Sequence, residues 1–134
     1  MKRMLKFDPT NGTLEEFDNT RGNKDFYEII GCDGLESTRR YIGEKLYDFI
    51  VDGTGAMDDS QLSISVVAAC NPFSPLHGPA IIARRNNIDF IGLRDEDIHY
   101  IKANSKIIKH DELFILVLLD NENVNECVDD NEMD

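Results

Sequence analysis

The apolar residues of this chain come in short packets. The two longest, "FILVLL" at 114–119 and "VVAAC" at 66–70, have the length of a β-strand and fall far below the ~20 residues of a membrane-spanning helix. Clusters of Gly, Pro, Asn and Asp stand between the packets and end any regular element. A chain punctuated so often builds short strands and packs them against one another. Its 134 residues suffice for one hydrophobic core.

The local patterns predict the elements in turn. Met4–Phe7 and Thr13–Phe17, joined by "DPTNG", read as an opening hairpin. Phe26, Ile29 and Ile30 recur at helical spacing, with Gly31 as the stop. "LESTRRYIG" alternates as a strand. In "KLYDFIVD", Tyr47, Phe49 and Val51 share one face of a strand while Asp48, Ile50 and Asp52 share the other. "SISVVAAC", "AIIARRN" and "DFIGL" are further strands. "NPFSPLHGP" holds three of the four prolines and reads as a shaped loop, because proline donates no ladder hydrogen bond. "RDEDIHYIKAN" reads as a helix with acids in its first turn. "ELFILVLLD" lacks polar alternation and reads as a strand covered on both faces. The fold class expected is α+β. Residues 1–119 form a single small domain, a mainly antiparallel mixed sheet of about six strands with two short helices, and an acidic disordered tail follows over 120–134.

Charge narrows the function classes. The net charge is −12, and residues 120–134 carry seven acids and no base. Such a surface repels phosphate, so direct binding to nucleic acid is not expected. No apolar run follows the basic "MKRMLKF", so neither a signal peptide nor a membrane association is expected, and the bacterial cytoplasm is the expected location. Cys32, Cys70 and Cys127 are scattered, and with His77, His99 and His110 they make no ligand spacing. No metal site and no cofactor are expected.

The stretch that most resembles chemistry is "FIVDGTGA". An aspartic protease of the retroviral type places Asp-Thr/Ser-Gly after its apolar strand. Here Gly53 separates Asp52 from Thr54, a one-residue slip that reverses side-chain direction. A phosphate loop would need further glycines and a lysine where Asp58 and Asp59 stand. The reading is a strand end and a turn, with Gly53 or Gly55 at positive φ. No catalytic residue is assigned. A small anionic ligand would draw on Asn71, His77, Arg84 and Arg85, the two arginines pointing to opposite faces of their strand beside the proline-rich segment. Arg39 and Arg40 form a second adjacent pair. An acidic interaction surface would be made of Asp48, Asp52, Asp58, Asp59, Asp95, Glu96 and Asp97.

"YIGEKLYDFIVDGTG" and "NPFSPLHGPAIIARRNNIDFIGLRDEDIHYI" resemble a family of small proteins carried by phages, plasmids and integrated elements of Gram-positive bacteria, a domain without an assigned function. Gly43, Lys45, Tyr47, Asp48, Ile50, Asp52 and Gly55 match its first phrase, and Asn71 and Pro72 its second. Asp89, Phe90, Leu93, Asp95, Glu96, Asp97 and Ile98 match its third. Arg94 stands where the family tends to have a threonine helix cap, and Asp95 is expected to take over the cap. The resemblance spans residues 40–102 and implies a setting rather than a reaction. The function expected is that of a non-enzymatic mobile-element accessory protein, a counter-defence inhibitor that binds a host protein stoichiometrically. Its acidic surface would mimic nucleic acid in a basic groove of a nucleic-acid-handling protein. The alternative is a binder that sequesters a small anionic nucleotide signal in a pocket or at a homodimer interface. A small hydrolase is the third reading.

Overall fold

The computed structural model describes residues 2–31, 34–53, 63–69 and 71–119, the side chains of residues 71–73 excepted. Among the described residues are ten strands and two helices: β1 (Arg3–Asp8), β2 (Thr13–Asp18), α1 (Asn23–Ile30), β3 (Leu35–Ile42), β4 (Lys45–Asp52), β5 (Ile64–Ala68), β6 (Asn71–His77), β7 (Ala80–Asn86), β8 (Asp89–Ile91), α2 (Asp95–Ala103), β9 (Ser105–His110) and β10 (Leu113–Leu118). A six-stranded sheet runs β2-β1-β7-β4-β3, with β8 paired to the end of β7; a four-stranded sheet runs β6-β5-β10-β9. All pairs are antiparallel except β5 with β10. The α+β class therefore holds, with a second sheet beyond the six strands expected.

Alternation along the strands sorts side chains into two cores. Leu5, Phe7, Tyr47, Phe49, Val51, Ala80 and Ile82 leave the six-stranded sheet on one face and meet Val66, Leu116 and Leu118 of the other sheet. Ile98 and Ile101 bring α2 into the same core. On the opposite face Met4, Ile50, Ile81 and Ala83 receive Phe26 and Ile30 of α1. Each fully buried side chain of this size contributes roughly 1.5–3 kcal/mol relative to exposure. The expected split of β4, with Phe49 on one face and Ile50 on the other, is what separates the two cores.

Two local expectations are corrected, and one strand had not been expected. The proline-rich segment is strand β6. It lies at an edge of its sheet, where Pro72 and Pro75 have no second partner to disappoint, and its pairing with β5 is broken by register shifts. β10 is not covered on both faces: Leu116 and Leu118 are buried, while Leu113, Ile115 and Val117 on its other face are half-buried. β9 follows α2 and was not legible, since Ile107 and Ile108 are adjacent and flanked by lysines. It exists by pairing with β10 over Ser105–His110.

The β3–β4 hairpin is closed by Gly43 and Glu44, with Gly43 at φ 63°. A two-residue hairpin favours glycine at this first loop position. The Gly43 N–H donates to the Leu119 carbonyl at 2.8 Å, and the Glu44 N–H donates to the Tyr100 hydroxyl of α2 at 2.7 Å. A Cβ at position 43 would collide with that hydroxyl. Gly43→Ala should therefore lower unfolding free energy by more than about 1 kcal/mol through the positive φ and the collision together. A urea titration checks this, and an unchanged midpoint would show that the hairpin does not need glycine.

Candidate functional site

The two arginines of "ARRN" do diverge, and each ends on a buried carboxylate. Arg84 Nε donates to the Gly92 carbonyl at 2.8 Å and lies 3.5 Å from Asp97 Oδ2. Asp97 is 1% exposed. It also accepts from the Arg94 backbone N–H at 2.9 Å, from Arg94 Nε at 3.0 Å and from the Tyr47 hydroxyl at 2.9 Å. Asp97, three positions into the helix, thus satisfies the amide at the start of α2 from inside, the second half of a capping box. Asp95 does not take the cap; it bonds Arg3 instead. Burial opposes the charge on Asp97, yet the hydrogen bonds from Arg94 and Tyr47 outweigh it and hold the carboxyl below the usual range. Burial, and then the bond to Asp97, push the Tyr47 hydroxyl above its ordinary value.

Arg85 goes to the other face. Its Nε donates to Asp48 Oδ2 at 3.3 Å, its Nη2 donates to Ser37 Oγ at 3.0 Å, and its guanidinium lies 5.1 Å over the Phe90 ring. Asp48 is 3% exposed, and Arg39 Nε approaches its Oδ1 at 3.6 Å. That oxygen is buried without a hydrogen-bond partner. Asp48 and Asp97, read from sequence as members of an acidic surface, are interior anions held by two arginines each. A strand flanked on both faces by core leaves its polar side chains no route to water, so they must be paired. Asp95 and Glu96 are exposed, bonded to Arg3 and 3.5 Å from Arg94 respectively. Asp58 and Asp59 lie outside the described residues.

The expected anion site does not assemble. Arg84 and Arg85 serve opposite faces, and neither lines the groove that holds His77. Asn71 is in β6 by its backbone, and its side chain is not described. His77 and Asp52 come together in a groove of about 190 Å³ where β3 and β4 of one sheet face β6 of the other. Gly53 closes that end of β4, its N–H donating to the Gly34 carbonyl at 2.8 Å; of the two glycines offered for a left-handed φ, this one does not adopt it. Gly55 lies outside the described residues.

Sequence reasoning missed the residue at the centre of this groove. Arg40 Nη1 donates to Thr38 Oγ1 at 2.6 Å and to the Arg39 carbonyl at 2.8 Å; Nη2 donates to the carbonyl and the hydroxyl of Ser74, both at 3.1 Å. It clamps β3 to β6 across the open side of the two sheets. Burial lowers its pKa, and the field of Glu36 acts in the opposite direction. The adjacent pair Arg39-Arg40 was a signal, but only the strand register tells which of the two faces β6. Among the described residues no group of three or more His, Cys, Asp and Glu side chains could hold a metal ion. Compared with known proteins, the chain matches no family model, no curated protein and no solved structure.

Asp97→Asn takes the shared buried carboxylate away from half-buried Arg84, exposed Arg94 and the Tyr47 hydroxyl and should cost about 1–3 kcal/mol of stability. A chemical denaturation curve with an unshifted midpoint would refute the pairing. The pH profile has a definite sign. Asp25 and Glu28 are held below the usual carboxylate range by Arg21, through its backbone N–H and its side chain respectively, and Asp95 by the side chain of Arg3. Together with Asp97 they are depressed in the folded state, so their contribution is complete above the unfolded carboxylate range of about pH 4 and is lost as pH falls through the folded values. Unfolding free energy should stay level from pH 7 to pH 5 and drop below pH 4, less steeply in Asp97→Asn.

Proposed function

We propose that this chain is a non-enzymatic accessory protein of a phage or mobile element that works by stoichiometric binding in the bacterial cytoplasm. Its acidic segments occupy a basic groove of a host nucleic-acid-handling protein. One observation carries the reading: the acid excess is segregated. The described residues hold all fourteen basic side chains and sixteen of the twenty-six acidic ones, a net of −2. The other ten acids are Asp33, Asp58, Asp59 and the seven of residues 120–134. In the folded body, seven of the sixteen carboxylates, the buried Asp48 and Asp97 among them, are paired with arginines. An acidic stretch of fifteen residues without one base has the charge density to compete with a phosphate backbone for lysine and arginine.

The resemblance of residues 40–102 to proteins of phages and plasmids supplies the setting, and counter-defence is the role that fits it. No helix among the described residues is long and apolar enough to cross a membrane.

The test uses the full-length chain beside a variant in which the seven tail acids are changed to Asn or Gln at unchanged length. Host nucleic-acid-binding proteins should be retained by the first and at least tenfold less by the second. Duplex DNA should displace them, and retention should weaken steeply as salt rises. Equal retention by both chains, or retention that DNA does not compete with, would refute nucleic-acid mimicry.

A further inference from the structure

Seven arginines lie among the described residues, and six have a carboxylate oxygen within 3.6 Å: Arg3, Arg21, Arg39, Arg84, Arg85 and Arg94. Arg40 has none there. Its four hydrogen bonds go to uncharged oxygens. A half-buried guanidinium bonded to neutral acceptors keeps its full charge in a place where water screens it poorly, and an arriving anion gains most there. The groove beside it has the space for one.

We propose that the β3–β6 groove is a binding site for a small hydroxyl-bearing phosphate monoester, of the size of a pentose phosphate. Three features select that chemistry. The Thr38 and Ser74 hydroxyls each accept from Arg40 and still carry an O–H, so both relay the guanidinium's polarity outward as donors. A phosphate oxygen meets charge and donors together at that wall. Glu36 and Asp52 line the same groove. Two carboxylates disfavour the more highly charged pyrophosphate more than a phosphate monoester, and they accept hydrogen bonds from sugar hydroxyls. The volume, about 190 Å³, is below the ~300–1,000 Å³ of pockets for drug-sized ligands, which excludes a dinucleotide and suits one ring with one phosphate. His77 completes the lining with a group that can donate or accept. The site does not rest on the acidic segments and stands whether or not they bind a host protein.

The probe is ribose 5-phosphate, titrated into the full-length chain and followed by amide chemical shifts, with ribose, inorganic phosphate and pyrophosphate as comparisons. Saturable shifts confined to residues 36–40, 51–53 and 74–77, with ribose 5-phosphate the tightest of the four, are the expected result. Arg40→Lys keeps the charge but cannot bond Thr38 and Ser74 at once, and should weaken binding at least tenfold. Glu36→Gln should narrow the preference over pyrophosphate several-fold by removing one repelling charge. Because Arg40 also ties β3 to β6, Arg40→Lys can fail to fold; Ser74→Ala then decides, and a dissociation constant unchanged by it would overturn the proposal. So would the absence of saturable shifts at millimolar probe, shifts centred on Asp48 and Arg85, or equal binding of pyrophosphate by the unaltered chain.

Discussion

An ionised carboxylate taken out of water is tolerated only when a cation is taken in with it, and strand β7 delivers one cation to each face of its sheet. Its first residues, Ala80 to Ala83, are apolar on both sides and hold the centre of the six-stranded sheet between β1 and β4. Its next two, Arg84 and Arg85, turn to opposite faces and end at Asp97 and Asp48. One pair fixes the entry of α2 against the inter-sheet core. The other lies on the face that α1 covers, where Arg85 also rests on Phe90, itself edge-on to Phe26 of the helix at 5.9 Å. The placement of both helices relative to the central sheet is thus tied to two adjacent residues.

This arrangement also governs where charge is available. Arginines that neutralise interior carboxylates are not free to attract an anion, and carboxylates so neutralised do not contribute to a negative surface. What is left over is separated in sequence. Arg40, clamped between β3 and β6 by neutral oxygens, is the arginine that the ion-pair network leaves out among the described residues. The ten acids outside the described residues fall mostly in 120–134. The two functional readings therefore occupy different parts of the chain and depend on opposite charges.

Much of the fold could be read from local pattern. The opening hairpin, α1 with its stop at Gly31, the facing of Phe49 and Ile50, and the start of α2 all follow from alternation, helical spacing and turn residues. β9 and β6 could not be so read. "SKIIKH" has no periodicity to mark it, and proline in "NPFSPLH" argues against a strand until one knows that the strand lies at an edge. Within the candidate sites, the divergence of Arg84 and Arg85 was legible because successive strand residues alternate. Their partners were not, because Asp48 is 37 residues distant from Arg85 and looks, in sequence, like a solvent-facing acid.

Local spacing was thus enough to specify which side chains share a face, since a strand's twofold period and a helix's 3.6-residue period are properties of the backbone alone. It was enough for the end of β4 at Asp52 and the acidic bias of the last fifteen residues. Which sheet each strand joins, the parallel pairing of β5 with β10, and the meeting of Arg40 with Ser74 across 34 residues came from folding. These depend on long-range burial, in which a carboxylate or guanidinium gains a partner only once two distant strands have closed a common core over it.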